Sequence, residues 1–230
     1  MEKKVKWLLG FWLLFGVLPA AITRDGGNHA TRLILILPPL VFTIAFGWLE
    51  LFRKIRPNLK VIFLVGWVAI YGGSLAFYLH HYYGHYPRES ERWWHFGFKE
   101  AFAEIKQIEP NYDRIVISMA DEPSWIFFAG WYAYPPRDWQ LNFPLAHAVD
   151  LPGFGKVSHI NKFYFGSPDA DIGIYGLDKV IDGRTVYLAV AKEIGANLIL
   201  EPGRVPPGLK LIKAVAFPSG EPAYYVFTKK

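Results

Sequence analysis

The sequence predicts a membrane α-helical protein: three transmembrane helices followed by a C-terminal extracytoplasmic α/β domain with a small mixed sheet. Three observations carry this reading. Long apolar runs crowd the first third of the chain, the remainder is rich in Pro, Gly and charged residues, and basic residues gather on one side of the runs. Of the 230 residues, 52% are hydrophobic. An ordinary soluble domain has roughly 45–50% apolar residues, so the distribution decides rather than the average.

The runs cover residues 5–22, 33–51 and 61–79 of a transmembrane region 1–79. Only Lys6 interrupts the first, and no charge falls within 33–49 or 61–79. Crossing about 30 Å of hydrocarbon takes about 20 mostly apolar residues, and each run is close to that. In the middle run the Leu, Ile, Val and Phe residues favour insertion by roughly 0.3–0.6 kcal/mol each, several kcal/mol together. One central Arg would remove about half of that, and none is present. The basic start and apolar core of the first run also suit a signal peptide, but "LPAAIT" is a poor small-x-small cleavage site. A retained helix is expected.

Orientation follows from charge. Lys3, Lys4, Lys6, Arg53, Lys54, Arg56 and Lys60 flank one side, against Arg24 and Arg32 in the loop between the first two runs. The N-terminus and the "FRKIRPNLK" loop are therefore cytoplasmic, and "ITRDGGNHATR" and the domain after residue 79 lie outside. Arg88, Arg92 and Lys99 oppose this count, but long domains translocate largely regardless of charge. The net charge of +5 belongs to this cytoplasmic bias and does not point to nucleic acid. With no Cys, no disulfide braces the outer domain.

Residues 80–230 read as one α/β domain of ordinary size. "WWHFGFKEAFAEIKQIEP" is an amphipathic helix ended by Pro110, with Phe98, Phe102 and Ile105 on one face. "DRIVISM" is a buried strand, and "PSWIFFAGWYA" a second helix with Pro123 in its first turn. "NKFYFG", "TVYLAV", "NLILE", "LKLIKAVAF" and "AYYVFTK" are further strands, the last two flanking the turn "PSGEP" as a hairpin. Residues 134–168 are expected to be rich in loops.

Three clusters could carry chemistry. In the first outer loop, Arg24, His29 and Arg32 offer charge-assisted donors to phosphate, and a lipid-linked phosphate lies at that depth. The competing role is contact with phospholipid headgroups, and Asp25 reads as a loop cap or a partner of Arg24. In "LHHYYGHYPRESERWWH", His81 and His85 share a helical face at metal-ligand spacing. No HExxH is present, and the surrounding Tyr and Trp suit an interfacial aromatic belt, so no metal is expected. In "MADEPSW", Asp121 and Glu122 stand at a strand end, where α/β sheets place ligand groups, or else cap the following helix. Gly66, Ala69, Gly73 and Ser74 put a narrow groove on the third run, which suits close packing against further helices.

The order of these pieces resembles a known family. A "HATR" loop runs into "LPP", "YYGHYPRESERWWHFGFKEAFAEI" follows the last span, "FFAGWYAYPPRDWQ" follows the first strand, and "PSGEPAYYVF" closes the chain. Together they resemble the C-terminal part of bacterial polytopic glycosyltransferases of the GT-C superfamily, relatives of protein O-mannosyltransferases and aminoarabinose transferases. The resemblance implies transfer of a sugar from a polyprenyl-phosphate donor at the outer membrane face. The family's catalytic acid lies in an N-terminal outer loop that has no counterpart among these three spans, so no catalytic residue carries over. His29 and Arg32 of the "HATR" loop correspond to the lipid-phosphate side of the site.

The expected function is thus the C-terminal portion of such a transferase, a truncated gene product or one half of a split enzyme, inactive alone. Its partners are the lipid bilayer, a polyprenyl-phosphate sugar and, if split, a separate N-terminal transferase chain, with no cofactor. The alternative is a membrane-anchored, non-enzymatic module that binds a glycan or protein outside the cytoplasm. Trp131, Tyr132 and Trp139 are candidate acceptor or glycan contacts by stacking on sugar rings, against a competing role in core packing.

Overall fold

The computed structural model describes residues 2–23 and 30–230, and the chain divides into two compact units, Met1–Tyr78 and Leu79–Lys230. Each is built by a different logic.

In the first unit, α1 (Lys3–Gly16) breaks at Val17 and resumes as α2 (Leu18–Ala21). Pro19 explains the restart, because it lacks an N–H and is tolerated only in a first helical turn. A 3-10 stretch, Ala30–Ile36, leads into α3 (Leu37–Lys54). Pro38 and Pro39 cannot donate to the carbonyls four residues back, so the regular α ladder starts with them and not before. Arg53 and Lys54 fill the last turn of α3, at the negative end of its dipole. α4 (Lys60–Gly84) follows a 3-10 turn at Pro57–Leu59, and the short α5 (Tyr86–Glu89) comes next in the chain.

Three helical stretches, Lys3–Ala21, Thr31–Lys54 and Pro57–Gly84, are long and apolar enough to cross a membrane. The third outruns the apolar run that predicts it and carries the helix through "HHYYG". Gly16 lets the first two pack closely, since a Cβ there would come within 2.8 Å of Ile36 Cγ2. Trp48 stacks on Phe52 at 5.1 Å between ring centres and meets Phe63 of α4 at 6.1 Å.

The second unit holds a seven-stranded sheet in the order β2-β3-β4-β1-β5-β7-β6. The strands are β1 (Arg114–Ile117), β2 (Ala148–Leu151), β3 (Gly155–Ile160), β4 (Phe163–Phe165), β5 (Thr185–Val190), β6 (Leu209–Ala216) and β7 (Pro222–Lys229). β1 pairs parallel with both β4 and β5, and the other pairs are antiparallel. The sheet is mixed, as expected, but not small.

Period-two alternation sorts the strands onto two cores. Ile115, Ile117, Val186 and Leu188 face one side, under Phe98, Phe102 and Ile105 of α6 (Phe98–Ile108) and under Phe128. Val116, Tyr187 and Ala189 face the other, with Leu177, Ile181 and Leu198. All six residues of β5 are buried, which is what a central strand covered on both faces requires.

Three expectations need correction. The stretch 134–168 is not mainly loop, for it contains α8 (Pro136–Leu141) and strands β2 and β3. β2 is an edge strand of only four residues whose inward side chains, Val149 and Leu151, are too few to stand out as an alternating pattern. "NLILE" is a turn: the Asn197 side chain accepts the N–H groups of Ile199 and Leu200, and Leu200 is left 77% exposed. The helix after β1 is split into α7 (Ser124–Phe127) and a π-helical turn, Phe128–Ala133, with Pro123 as N-cap.

Candidate functional site

β1 lies between its two parallel partners, so the chain reaches β4 on one side of it and returns to β5 on the other. Connections that leave the carboxyl ends of β1 and β5 diverge there, which is where open α/β sheets form a ligand crevice. A cleft of about 430 Å³ occupies this end of the sheet.

Its first wall is the connection after β1. Ser118 Oγ accepts the Ala120 N–H at 3.1 Å and Ser167 Oγ accepts the Met119 N–H at 3.1 Å, pinning the loop that carries Asp121 and Glu122. Neither carboxylate caps the following helix, whose N-cap makes no side-chain hydrogen bond. Instead both line the cleft.

The second wall is the turn Ala191–Glu193 after β5. Glu193 points inward, accepting the Tyr187 hydroxyl at 2.6 Å and the Val190 N–H at 2.7 Å. Burial raises the Glu193 carboxyl above its ordinary range and holds the Tyr187 phenol well above its own. With Glu193 anchored, Lys192 is turned outward and pairs with Asp121.

The third wall comes from residues 92–95. His95 has a φ of 49° and Gly97 a φ of 104°, both left-handed, and this double bend sets the His95 Nδ1 3.8 Å from Asp121 Oδ2. Arg92 lies over the Phe217 ring at 5.5 Å, while Trp93 is 81% exposed beside it. Tyr224 of β7 lines the same space, opposite Val190 in register. Burial first, and then the charge of Asp121, hold its phenol protonated far into the alkaline range.

Comparison with family models, with curated proteins and with solved structures returns no match for this chain.

The cleft is joined to the end of α4 by consecutive contacts. His81 Nε2 lies 3.2 Å from Glu89, Tyr82 stacks on Tyr86 at 5.5 Å, and Trp94 Nε1 donates to the Tyr86 hydroxyl at 2.9 Å. His81 and His85 stack at 5.6 Å, but among the described residues no group of three or more His, Asp or Glu is placed to hold a metal ion.

Of the phosphate and glycan candidates singled out from sequence, those that the structure describes do not line the cleft. Arg24, Asp25 and His29 fall outside the described residues. Arg32 donates to Thr23 Oγ1 at 2.9 Å, tying the start of the second long helix to the end of the first. Trp131 is 54% exposed with Lys99 over its ring at 5.9 Å. Tyr132 stacks on Phe128 at 4.8 Å and donates to Glu109, and Trp139 packs against Phe143 at 5.9 Å. None of these three lines the cleft.

Of the cleft residues, sequence reasoning found Asp121 and Glu122 through their position at a strand end. The same rule applied to "TVYLAV" points to Lys192. Arg92, His95 and Tyr224 carry no such local signal.

Chemically, the cleft offers hydrogen-bond donors from Arg92, Lys192 and Tyr224, acceptors from Asp121 and Glu122, and an exposed aromatic face on Trp93. Among the described residues neither Arg92 nor Glu122 is engaged in an ion pair.

Proposed function

We propose that this chain serves as the C-terminal part of a polytopic membrane glycosyltransferase of the GT-C kind, which takes its sugar from a polyprenyl-phosphate donor. What supports the reading is that the three stretches bearing the resemblance within the second unit meet in space, with Phe98 of the first against Phe127 of the second and Tyr224 of the third. Glu91 of "YYGHYPRESERWWHFG" binds Ser219 of "PSGEPAYYVF", and "FFAGWYAYPPRDWQ" is one aromatic unit in which Phe128, Tyr134 and Trp139 pack together.

In this reading Arg24, His29 and Arg32 neutralise the donor phosphate, and the second unit lies outside the cytoplasm and orients the acceptor. Transfer also needs a base to activate the acceptor and positive groups to stabilise the leaving phosphate. The chain supplies candidates for the second role, and further helices supply the first. The third span fits such an assembly, because at Gly66, Gly72 and Gly73 nothing lies within 4 Å of where a side chain would begin.

The test is sugar transfer from a labelled polyprenyl-phosphate donor, by the chain alone and by the chain combined with the N-terminal helices of a full-length transferase. Activity is expected only in the combination, with Arg32→Ala lowering it by about a hundredfold, the usual effect of removing one transition-state donor. Transfer by the chain alone overturns the proposal.

The cleft favours a second reading, a membrane-anchored binding module without enzymatic activity. There, Arg32→Ala leaves ligand binding by the second unit unchanged.

A further inference from the structure

We infer that the cleft at the carboxyl ends of β1 and β5 is a carbohydrate-binding site, with Trp93 as the stacking platform and Glu122 and Arg92 as the groups that read hydroxyls. The assignment of that carbohydrate as an acceptor rests on the transferase reading; the site itself does not.

Three features select the ligand class. The first is charge balance. Arg92 and Lys192 face Asp121 and Glu122, so a phosphate dianion meets as many repelling charges as attracting ones. Sugar hydroxyls both donate and accept, and each of the four groups finds a partner in them. The second is the engagement of these groups. Asp121 is already held by Lys192 and approached by His95, whereas among the described residues Glu122 and Arg92 make no ion pair, and Arg92 rests on the Phe217 ring with its N–H groups open to a ligand. The third is the aromatic face. Trp93 is 81% exposed at the rim, an apolar plane beside polar groups, the combination that the two faces of a pyranose ring require. A volume of about 430 Å³ lies within the range of roughly 300–1,000 Å³ typical of small-ligand clefts and holds one or two sugar residues.

The experiment uses the full chain in lipid nanodiscs, titrated with methyl glycosides of mannose, glucose, galactose and arabinose and followed by saturation-transfer NMR. Inorganic phosphate serves as the competing anion. At least one glycoside is expected to bind in the millimolar range, and Trp93→Ala and Glu122→Gln each to weaken it by about tenfold or more. Trp131→Ala, outside the cleft, leaves it unchanged. Far-UV circular dichroism of each variant confirms the fold.

The inference is overturned if no glycoside binds, if phosphate displaces the glycoside at equal or lower concentration, or if Trp131→Ala abolishes binding while Trp93→Ala does not. Glycoside binding without transfer by the completed enzyme sinks the transferase reading and leaves this site standing. Transfer that is indifferent to Trp93→Ala and Glu122→Gln, with no glycoside bound, does the reverse.

Discussion

Glu91 holds Ser219 across 128 residues of chain: one carboxylate oxygen accepts the Ser219 backbone N–H at 2.9 Å, and the other accepts its hydroxyl. Glu91 is only 6% exposed, so this clasp between the start of the domain and its last hairpin is shielded from water. Glu91→Ala leaves the Ser219 N–H without its partner, at about 1–3 kcal/mol. Thermal melts of the chain in nanodiscs should show the midpoint of the second unit falling by about 2–4 °C per kcal/mol. The Glu91→Ala/Ser219→Ala pair should cost less than the sum of the two single changes, and strict additivity would argue against the clasp.

Gly97 is expected to tolerate no side chain. Its φ of 104° is unfavourable for any L-residue, and a Cβ would lie 3.0 Å from the Tyr224 ring. Gly97→Ala should destabilise the second unit by about 1–3 kcal/mol. Gly130→Ala is the control, because its Cβ meets nothing within 4 Å. There the loss of unfolded-state freedom predicts no cost, or a gain of up to about 1 kcal/mol. Equal destabilisation by both would contradict the local packing.

The Glu193 carboxyl makes stability depend on pH with a definite sign. Burial raises it above the ordinary 4.5, so the folded chain keeps a proton over a range where the unfolded chain has released its own. The unfolded state then binds fewer protons, and stability falls as pH rises through that window. Glu193→Gln removes the titration and should flatten this part of the profile. Melting midpoints of the two proteins between about pH 4 and 8 decide it, and parallel profiles would count against a titrating Glu193.

Topology can be read because the chain has no Cys of its own. In Arg56→Cys and Lys210→Cys, made singly, a membrane-impermeant maleimide applied to intact cells should label the second and not the first. The opposite pattern reverses the orientation inferred from the basic residues.

Some of this architecture could be read locally and some could not. Phe98, Phe102 and Ile105 recur at helical spacing because one face of α6 meets the sheet, and "TVYLAV" is uniformly apolar because β5 is covered on both sides. β2 has no strong local signal because it is four residues long, with only Val149 and Leu151 turned to the core. "NLILE" misled for the opposite reason: its apolar residues are real, but the Asn197 amide captures the backbone before a strand can form. The cleft was visible only at Asp121 and Glu122. Its other walls depend on the Val190–Tyr224 register and on the left-handed turn through His95 and Gly97, which no single window of sequence contains.

β7 is the seventh strand in chain order, yet it lies inside the sheet, between β5 and β6. Until the ribosome has passed residue 229, β5 has an open edge along Val186–Val190, and β6 has no strand beside it. While it waits, the uniformly buried strand β5 is an invitation to mispair, and loss of β7 alone would both bare that edge and detach β6 from the sheet.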